Sequence, residues 1–405
     1  MNSNLFLILI VILLMISGES FSQMDSLNLT ADSVYIKDLE PNELPNGKGF
    51  LITADSGRSF LVLKASIRLN GAYDINGLQS EETFDTYEIP VGNDNSGDGR
   101  FFIGAYQTRF GLEAQKLTSF GIIFAKLETD FLGKNNSLRI RQAYGVIKSF
   151  LLGKARSVFG DADAIPNKVD RDGPNSSLNQ RTIQIRFQPP KKELIRWAVS
   201  LETPDPNVTG PDTIDVESVF QSFPDIASNI NFSSDNWGHV QLASVFRGIS
   251  VRDPGGAIQV IPGYGGLFSG KIKILKNTNL MYQLYAGKGI ARYVKSLTGQ
   301  GLDVVYDYID NTYNALETYG GYVSTGFKWG KIFSNDLTAG VTRIVNIDSQ
   351  PGDAFKVSYY ASGNFFMYFA KTLNIGIEYS YGKRINKNNE SGDANRISFI
   401  SILDF

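Results

Sequence analysis

Beyond residue 60 the chain alternates apolar and polar residues in runs long enough to be strands. In 60–73, Leu61, Leu63, Ala65, Ile67 and Leu69 share one face while Lys64, Ser66, Arg68 and Asn70 share the other, the period-two signature of a strand. The same split sets Ile183, Ile185 and Phe187 against Gln184 and Arg186, and Ile195, Trp197, Val199 and Leu201 against Arg196, Ser200 and Glu202. Sixteen such segments can be laid down, at 60–73, 101–115, 119–131, 138–149, 150–159, 181–188, 194–203, 237–245, 248–254, 263–275, 279–291, 317–330, 336–347, 354–369, 372–385 and 395–405. Most of them approach the length at which a tilted strand crosses hydrocarbon.

The last segment ends the chain on an aromatic residue. Ile397, Phe399, Ser401, Leu403 and Phe405 lie on one face and Arg396, Ser398 and Asp404 on the other, with Ile400 and Ile402 blurring the division. An unpaired apolar edge strand invites aggregation, whereas a closed barrel pairs its last strand with its first. The connections give a second test, because a membrane barrel keeps tight turns at one end and long loops at the other. The predicted tight turns include Lys116–Thr118, Phe246–Arg247, Lys276–Thr278 and Ala370–Lys371. The connections 74–100, 160–180, 204–236 and 292–316 are long, rich in Gly, Asp, Asn and Pro, and all fall at the opposite end. A soluble β-sandwich also alternates, with its apolar face inside. Strand length, one-sided loops and the terminal aromatic favour instead an all-β, transmembrane, antiparallel up-and-down β-barrel of about 16 strands. Tyr359, Tyr360, Phe365, Phe366, Tyr368, Phe369, Tyr379 and Tyr381 are candidates for its interfacial girdles, although several of them must face inward.

Residues 5–16 (LFLILIVILLMI) form an unbroken apolar run followed by Ser20-Phe21-Ser22. The run is too short to span a bilayer comfortably, so residues 1–22 read as a signal peptide cut before Gln23. A retained anchor helix is the alternative, since Met1–Asn4 lacks Lys and Arg. Residues 23–59 are polar and interrupted by Pro41, Pro45, Gly47, Gly49 and Gly57. They read as a periplasmic N-terminal extension or inner plug, with 60–405 as the barrel. The chain has no cysteine, which excludes disulfides and thiolate chemistry. A single histidine, His239, leaves little for a histidine-rich metal centre, and a net charge of −2 gives no basic field for nucleic acid. Forty glycines, 19 tyrosines and 27 phenylalanines suit an all-β chain with an aromatic exterior.

Two motifs invite an enzymatic reading and fail it. Gly265–Lys271 approximates a phosphate-binding loop, but Ile272 stands where Ser or Thr is required and the segment alternates as a strand. His239 shares its face with Gln241 and has no nucleophile motif near it, so a hydrogen-bonding role fits better than that of a base. Asn236-Trp237-Gly238 reads as the entry from a long loop into a strand. No catalytic residue, cofactor or metal is implied.

The pieces LRIRQAYG (138–145), FGDADAIPNKVDRDGPN (159–175), QIRF (184–187) and NWGHVQLA (236–243) resemble the DcaP-like outer-membrane porins, most clearly over 60–250. The resemblance implies a sixteen-stranded porin in the outer membrane of a Gram-negative bacterium, in contact with its lipid. It also implies a homotrimer with an N-terminal coiled-coil extension. Here the extension is short and interrupted by proline, which puts the coiled coil in doubt.

Within such a barrel the inward side chains decide what passes. The phase of the first seven strands turns Lys64, Arg68, Arg109, Lys126, Arg139, Arg141, Arg186 and Arg196 inward together with the acids Glu113, Glu128, Asp130 and Glu202. The wall is therefore biased toward positive charge in a nearly neutral chain. Guanidinium groups engage both oxygens of a carboxylate, so small anionic solutes such as dicarboxylates are the expected cargo. Arg139 and Arg141 form the sharpest pair, and the bland alternative has them balancing Glu128 and Asp130 as a structural ladder. The loop 160–180 is the expected constriction, with Asp161, Asp163, Asp170, Arg171 and Asp172 upon it. Its carboxylates match no calcium-loop spacing and read as solvated charge. A structural or adhesive barrel that binds a partner through its long loops, and a soluble secreted β-protein, are the rival readings.

Overall fold

The computed structural model describes residues 49–405 other than 77, 79–81, 93–98, 212–218 and 371. Its strands are β1 (Phe50–Ala54), β2 (Ser59–Asn76), β3 (Arg100–Gly104), β4 (Arg109–Thr118), β5 (Gly121–Asp130), β6 (Arg139–Ile147), β7 (Phe150–Arg156), β8 (Arg181–Phe187), β9 (Ile195–Glu202) and β10 (Val208–Thr209). They continue as β11 (Asp225–Ser234), β12 (Gly238–Arg252), β13 (Ile258–Leu275), β14 (Thr278–Lys288), β15 (Val304–Asp307), β16 (Thr312–Ala315), β17 (Glu317–Trp329), β18 (Phe333–Val345), β19 (Phe355–Tyr368), β20 (Leu373–Asn386) and β21 (Ser391–Asp404). Eighteen of these form one antiparallel sheet that closes where β2 meets β21. Within it β3 and β4 are two pieces of one wall strand, both paired with β2, and β1 adds a short segment beside β2, which leaves sixteen wall strands. The barrel expected from the alternation is therefore present.

Alternation decides the two faces. On β2 the residues Leu63, Ile67, Leu69, Tyr73 and Ile75 are exposed outward, while Phe60, Val62, Asn70, Ala72 and Asp74 are buried on the inward side. On β21 Ile397 and Phe405 are exposed, whereas Arg396, Ser398 and Ile400 are buried. The seam pairs Ser66 with Asp404 at one end and Asn76 with Asn395 at the other. Ala65 and Phe405 exchange backbone hydrogen bonds of 3.3 and 2.8 Å. Below that point β21 has ended but β2 continues, and β1 takes up the vacant edge with Phe50 opposite Leu63 and Ala54 opposite Ser59. The end of the expected 23–59 extension is thus a strand on the barrel edge. Residues 1–48, including the expected signal peptide, lie outside the described residues.

The strand assignment needs one compensated correction. Asp225–Ser234, expected to be loop, is β11, and the segments 237–245 and 248–254 are halves of the single strand β12. Phe246–Arg247 is therefore mid-strand, opposite Tyr264 and Gly263. Trp237 belongs to a tight turn between β11 and β12, at the other end from the long loops. The reason is compositional. The outward row of β11 runs Ile226, Ser228, Ile230, Phe232, and its Ser228 hydroxyl lies 2.8 Å from that of Ser244 on β12. Serine and asparagine give this strand the look of a turn-rich loop.

The long loops fold into the barrel mouth. Val158, Phe159 and Leu178 pack with Ile290, Tyr293, Val294 and Leu297 against the inward wall residues Ala198, Ala227, Ala243, Val245 and Leu267. Small alanines on β9, β11 and β12 leave the room for this second layer. Leu78, Phe84 and Ile89 pack separately on Tyr360 and Ala394. The small sheet β10–β15–β16 stands at the same end, with Val304, Tyr306 and Tyr313 against Ile249 and Val251 of the wall.

At the seam the fully buried Arg396 donates from Nε to Asp74 Oδ1 at 2.5 Å and from Nη2 to Oδ2 at 3.0 Å, and Arg100 reaches the same carboxylate at 3.0 Å. Asp74→Ala leaves a buried guanidinium without its carboxylate, an expected loss of roughly 3–5 kcal/mol. Urea unfolding in detergent, followed by heat-modifiable gel migration, measures it. Asp74→Asn, which keeps one acceptor oxygen, is expected to lose less.

Candidate functional site: the inner loop and the arginine wall

Residues 157–180 leave β7 and cross the interior to the far wall before returning to β8. Glu202 Oε1 holds the entry, accepting from Ser157 Oγ and Val158 N at 3.0 Å each. Asp161 Oδ2 lies 2.8 Å from His239 Nε2 and accepts from Ser269 Oγ at 2.8 Å. An ionised carboxylate only accepts, so the imidazole proton sits on Nε2. Gln241 and Gln283 donate to the backbone carbonyls of Gly160 and Asp161 at 3.0 and 2.8 Å. Further along, Tyr322 OH donates to Ala164 O at 3.1 Å and Asn364 Nδ2 to Asn167 O at 2.8 Å. Glu378 receives the amides of Val169 and Asp170 at 2.9 and 3.3 Å. The loop is thus hung on inward side chains of β12, β13, β14, β17, β19 and β20.

Its acids are not solvated as the sequence suggested. Asp161, Asp170 and Asp172 are buried, and only Asp163 is well exposed, with its side chain 69% accessible. Asp172 is gripped by Lys295 Nζ at 3.0 Å and by both arms of Arg171 at 3.1 Å. Burial opposes the charge on Asp161, but hydrogen bonds from His239 and Ser269 hold it below the usual carboxylate range. Burial likewise opposes Asp172, and Lys295 and Arg171 keep it well below that range. Burial pushes Lys168 down to about 8 against the pull of Asp172 and Asp170. Burial raises Asp170, and raises Asp85 of the neighbouring loop to about 7.

The opposite wall, β2 to β8, carries the basic residues. Lys64, Arg68, Arg109, Glu113, Lys126 and Glu128 border one cavity of about 230 Å³ beside Asp404 and Phe405. Arg139 forks onto Asp130 at 2.9 and 2.7 Å, and Arg141 spans Glu128 at 2.6 Å and Asp130 at 2.9 Å. The structural ladder is thus real for these two arginines. Lys64 and Lys126 share Glu113 at 2.7 and 3.4 Å. Arg186 bonds Gln184 at 2.9 Å and the carbonyl of Arg156, and Arg196 approaches Asp163 at 3.9 Å. Among the described residues Arg109 and Arg181 each keep a buried Nε–H with no acceptor. Arg109 lies within electrostatic reach of Arg68, Arg141 and Arg181, and Arg181 within reach of Arg139, Arg141 and Arg156.

Sequence phase missed Arg156 and Arg181, because alternation set Arg181 with the outward Ile183. Both flank the inner loop, at the end of β7 and the start of β8, where Arg156 stands opposite Arg181. It also missed Arg247, assigned to a turn. Arg247 binds Asp225 at 3.1 Å and Asp303 at 2.9 Å and so locks the loop 289–316 to the wall.

The depressed acids Asp161 and Asp172 stabilise the loop above the ordinary carboxylate range, and that contribution is lost as pH falls through their lowered values. Asp170 and Asp85 have the reverse sense. Their contribution is complete in acid and fades as pH rises, for Asp85 through about 7. Asp161→Asn is expected to give noisy single-channel current at neutral pH, with the wild type acquiring that noise only below the ordinary carboxylate range. Planar-bilayer recording across pH checks both.

Comparison with solved structures places the fold. The outer membrane channel DcaP of Acinetobacter baumannii superposes with a TM-score of 0.76 at 20% identity, covering 88% of this chain and 100% of that one. The anion-selective porin from Comamonas acidovorans gives 0.57 at 11% identity, over 86% and 100%. Salmonella typhi OmpF, in complex with daunomycin, gives 0.55 at 10% identity, over 88% and 100%. No curated protein matches the sequence. The DcaP outer membrane protein model matches residues 24–405. The chain belongs to the DcaP outer membrane protein family and is a porin of the Gram-negative outer membrane.

Proposed function

We propose that this porin passes small hydrophilic solutes with a preference for anions, short dicarboxylates among them. The observation that carries the reading is the excess of guanidinium on the open wall. Arg68, Arg109, Arg139, Arg141, Arg156 and Arg181 cluster there with Glu128, Asp130 and Asp404 as the carboxylates in reach. Arg139 and Arg141 are matched by Glu128 and Asp130, so the uncompensated charge rests mainly on Arg109 and Arg181. Their Nε–H groups lack acceptors, and a buried donor without a partner is costly. A carboxylate passing between wall and loop would supply one, and low-dielectric walls focus the field along its path. The loop meanwhile buries Asp161, Asp170 and Asp172 among its anchors, where they add little opposing charge, and exposes Asp163 beside Arg196. Fold relatives that include an anion-selective porin are consistent with the reading. Long loops that pack inward weigh against the adhesive alternative.

We propose in addition that the subunits assemble as homotrimers through the outward faces of β2 to β6. There Leu61, Ala114, Ala125 and Gly145 stand in one cross-strand row and give a shallow apolar surface.

In a salt gradient the reversal potential is expected to indicate anion selectivity. Removing one charge beside the ion's path costs on the order of 1 kcal/mol or less, so Arg109→Ala with Arg181→Ala should lower the anion-to-cation permeability ratio roughly fivefold. Arg141→Ala, which exposes Glu128 and Asp130, should lower it further. A wild-type reversal potential of zero or of cationic sign would overturn the anion reading. Unheated electrophoresis against cross-linked standards tests the trimer, and a monomer band alone would refute it.

A further inference from the structure

Three successive hairpins repeat one cross-strand pair on their outward face near the long-loop end. Tyr264 on β13 lies opposite Lys288 on β14, Tyr319 on β17 opposite Arg343 on β18, and Tyr359 on β19 opposite Lys383 on β20. All three tyrosines are exposed, and toward the short-turn end they give way to exposed Leu284, Val323, Val341 and Ile377. Each pair therefore sits where an apolar belt meets the loops, the level at which tyrosine favours a membrane interface.

The cations at this level are incompletely matched. Lys288 pairs with Glu317 at 2.9 Å. Arg343 lies over the Tyr319 ring at 5.8 Å. Among the described residues neither Arg343 nor Lys383 has a carboxylate within ion-pair distance. Asp393, opposite Lys383, is instead engaged by Asn76 Nδ2 at 3.3 Å. Arg343 is level with Val357 and Lys383 with Tyr359 on the intervening β19, so the two lie about 12 Å apart, two strand spacings across and two residues along, a span that two phosphates on one disaccharide can bridge.

In a porin the long loops face outward from the cell, so this belt meets the outer leaflet. We propose that the outward face of β13 to β20 is a docking surface for the phosphorylated glycolipid of that leaflet. Its acyl chains lie along Leu284, Val323, Val341 and Ile377, its phosphates meet Arg343 and Lys383, and the tyrosine rings sit beneath its sugars. Charge complementarity identifies the occupant, because a neutral lipid leaves both cations unmatched and a single-phosphate lipid matches one. These residues point away from the lumen, so the inference does not rest on the anion preference proposed above.

Native mass spectrometry of the detergent-purified full chain tests it, with bisphosphorylated lipid A, its dephosphorylated form and phosphatidylglycerol as probes. Wild type should retain bisphosphorylated lipid A. Each interfacial cation contributes roughly fivefold in affinity, so Arg343→Gln with Lys383→Gln should weaken retention about 25-fold. Glu317→Gln, which frees Lys288, should strengthen retention, and it serves where the double variant does not fold. Channel conductance should be unchanged in both. Equal retention by wild type and double variant, equal retention of the dephosphorylated form, or equal retention of phosphatidylglycerol would each overturn the assignment.

Discussion

The constraint that organises this molecule is that a backbone N–H or C=O cannot be left unpaired in hydrocarbon. A sheet meets it only by closing, and closure here depends on one seam, β2 against β21. The sequence prepares both sides of that seam. Phe405 brings the chain to its end with backbone bonds to Ala65, and the buried Arg396 meets Asp74 across the junction. The strands are staggered, so β2 continues past the point where β21 stops. The short β1 covers that stretch, and the edge that closure alone would leave bare is paired.

Closure also creates an interior that the same alternation must fill. Its filling is uneven. On the β9–β20 side, alanines and short polar groups receive the inner loops, and Asp161, Asp170 and Asp172 are consumed in holding them there. On the β2–β8 side long basic side chains border an open cavity. The asymmetry explains how a chain of net charge −2 can present an arginine-rich passage. Asp161, Asp170, Asp172, Glu202 and Glu378 are turned toward the loop anchors and Glu128 and Asp130 into the Arg139–Arg141 ladder, while among the described residues Arg109 and Arg181 keep unmatched donors.

Period-two phase was enough to read the faces of β2, β8, β9 and β21, and with them the inward direction of Lys64, Arg68, Arg186, Arg196 and Arg396. It failed where outward positions are polar, as with Ser228 of β11, since nothing then distinguishes strand from loop. It failed again at the end of β7 and the start of β8, where Arg156 and Arg181 reach toward the inner loop and the arginine cluster despite their outward parity. The position of the 160–180 loop between the fifth and sixth wall strands was legible, but the state of its acids was not. Their partners, His239, Ser269 and Lys295, lie far along the chain and on other elements. Alternation sorts residues by side, and it carries no information about which loop will lean on which wall.

One consequence of the sorting concerns the two sets of cations. Arg109 and Arg181 are enclosed by protein, where charge interactions are weakly screened, while Arg343 and Lys383 stand at the outer surface, where salt screens within about 10 Å. On the proposed reading the lumen set therefore acts on any ion that enters and persists in concentrated salt. The outward set discriminates only at contact, through geometry as much as charge, and this suits a lipid headgroup that stays rather than a solute that passes. On the readings proposed above, a single alternating pattern supports two separate anion-facing surfaces. The outward one can be altered without touching conduction, because each strand turns its neighbouring residues to opposite sides of the wall.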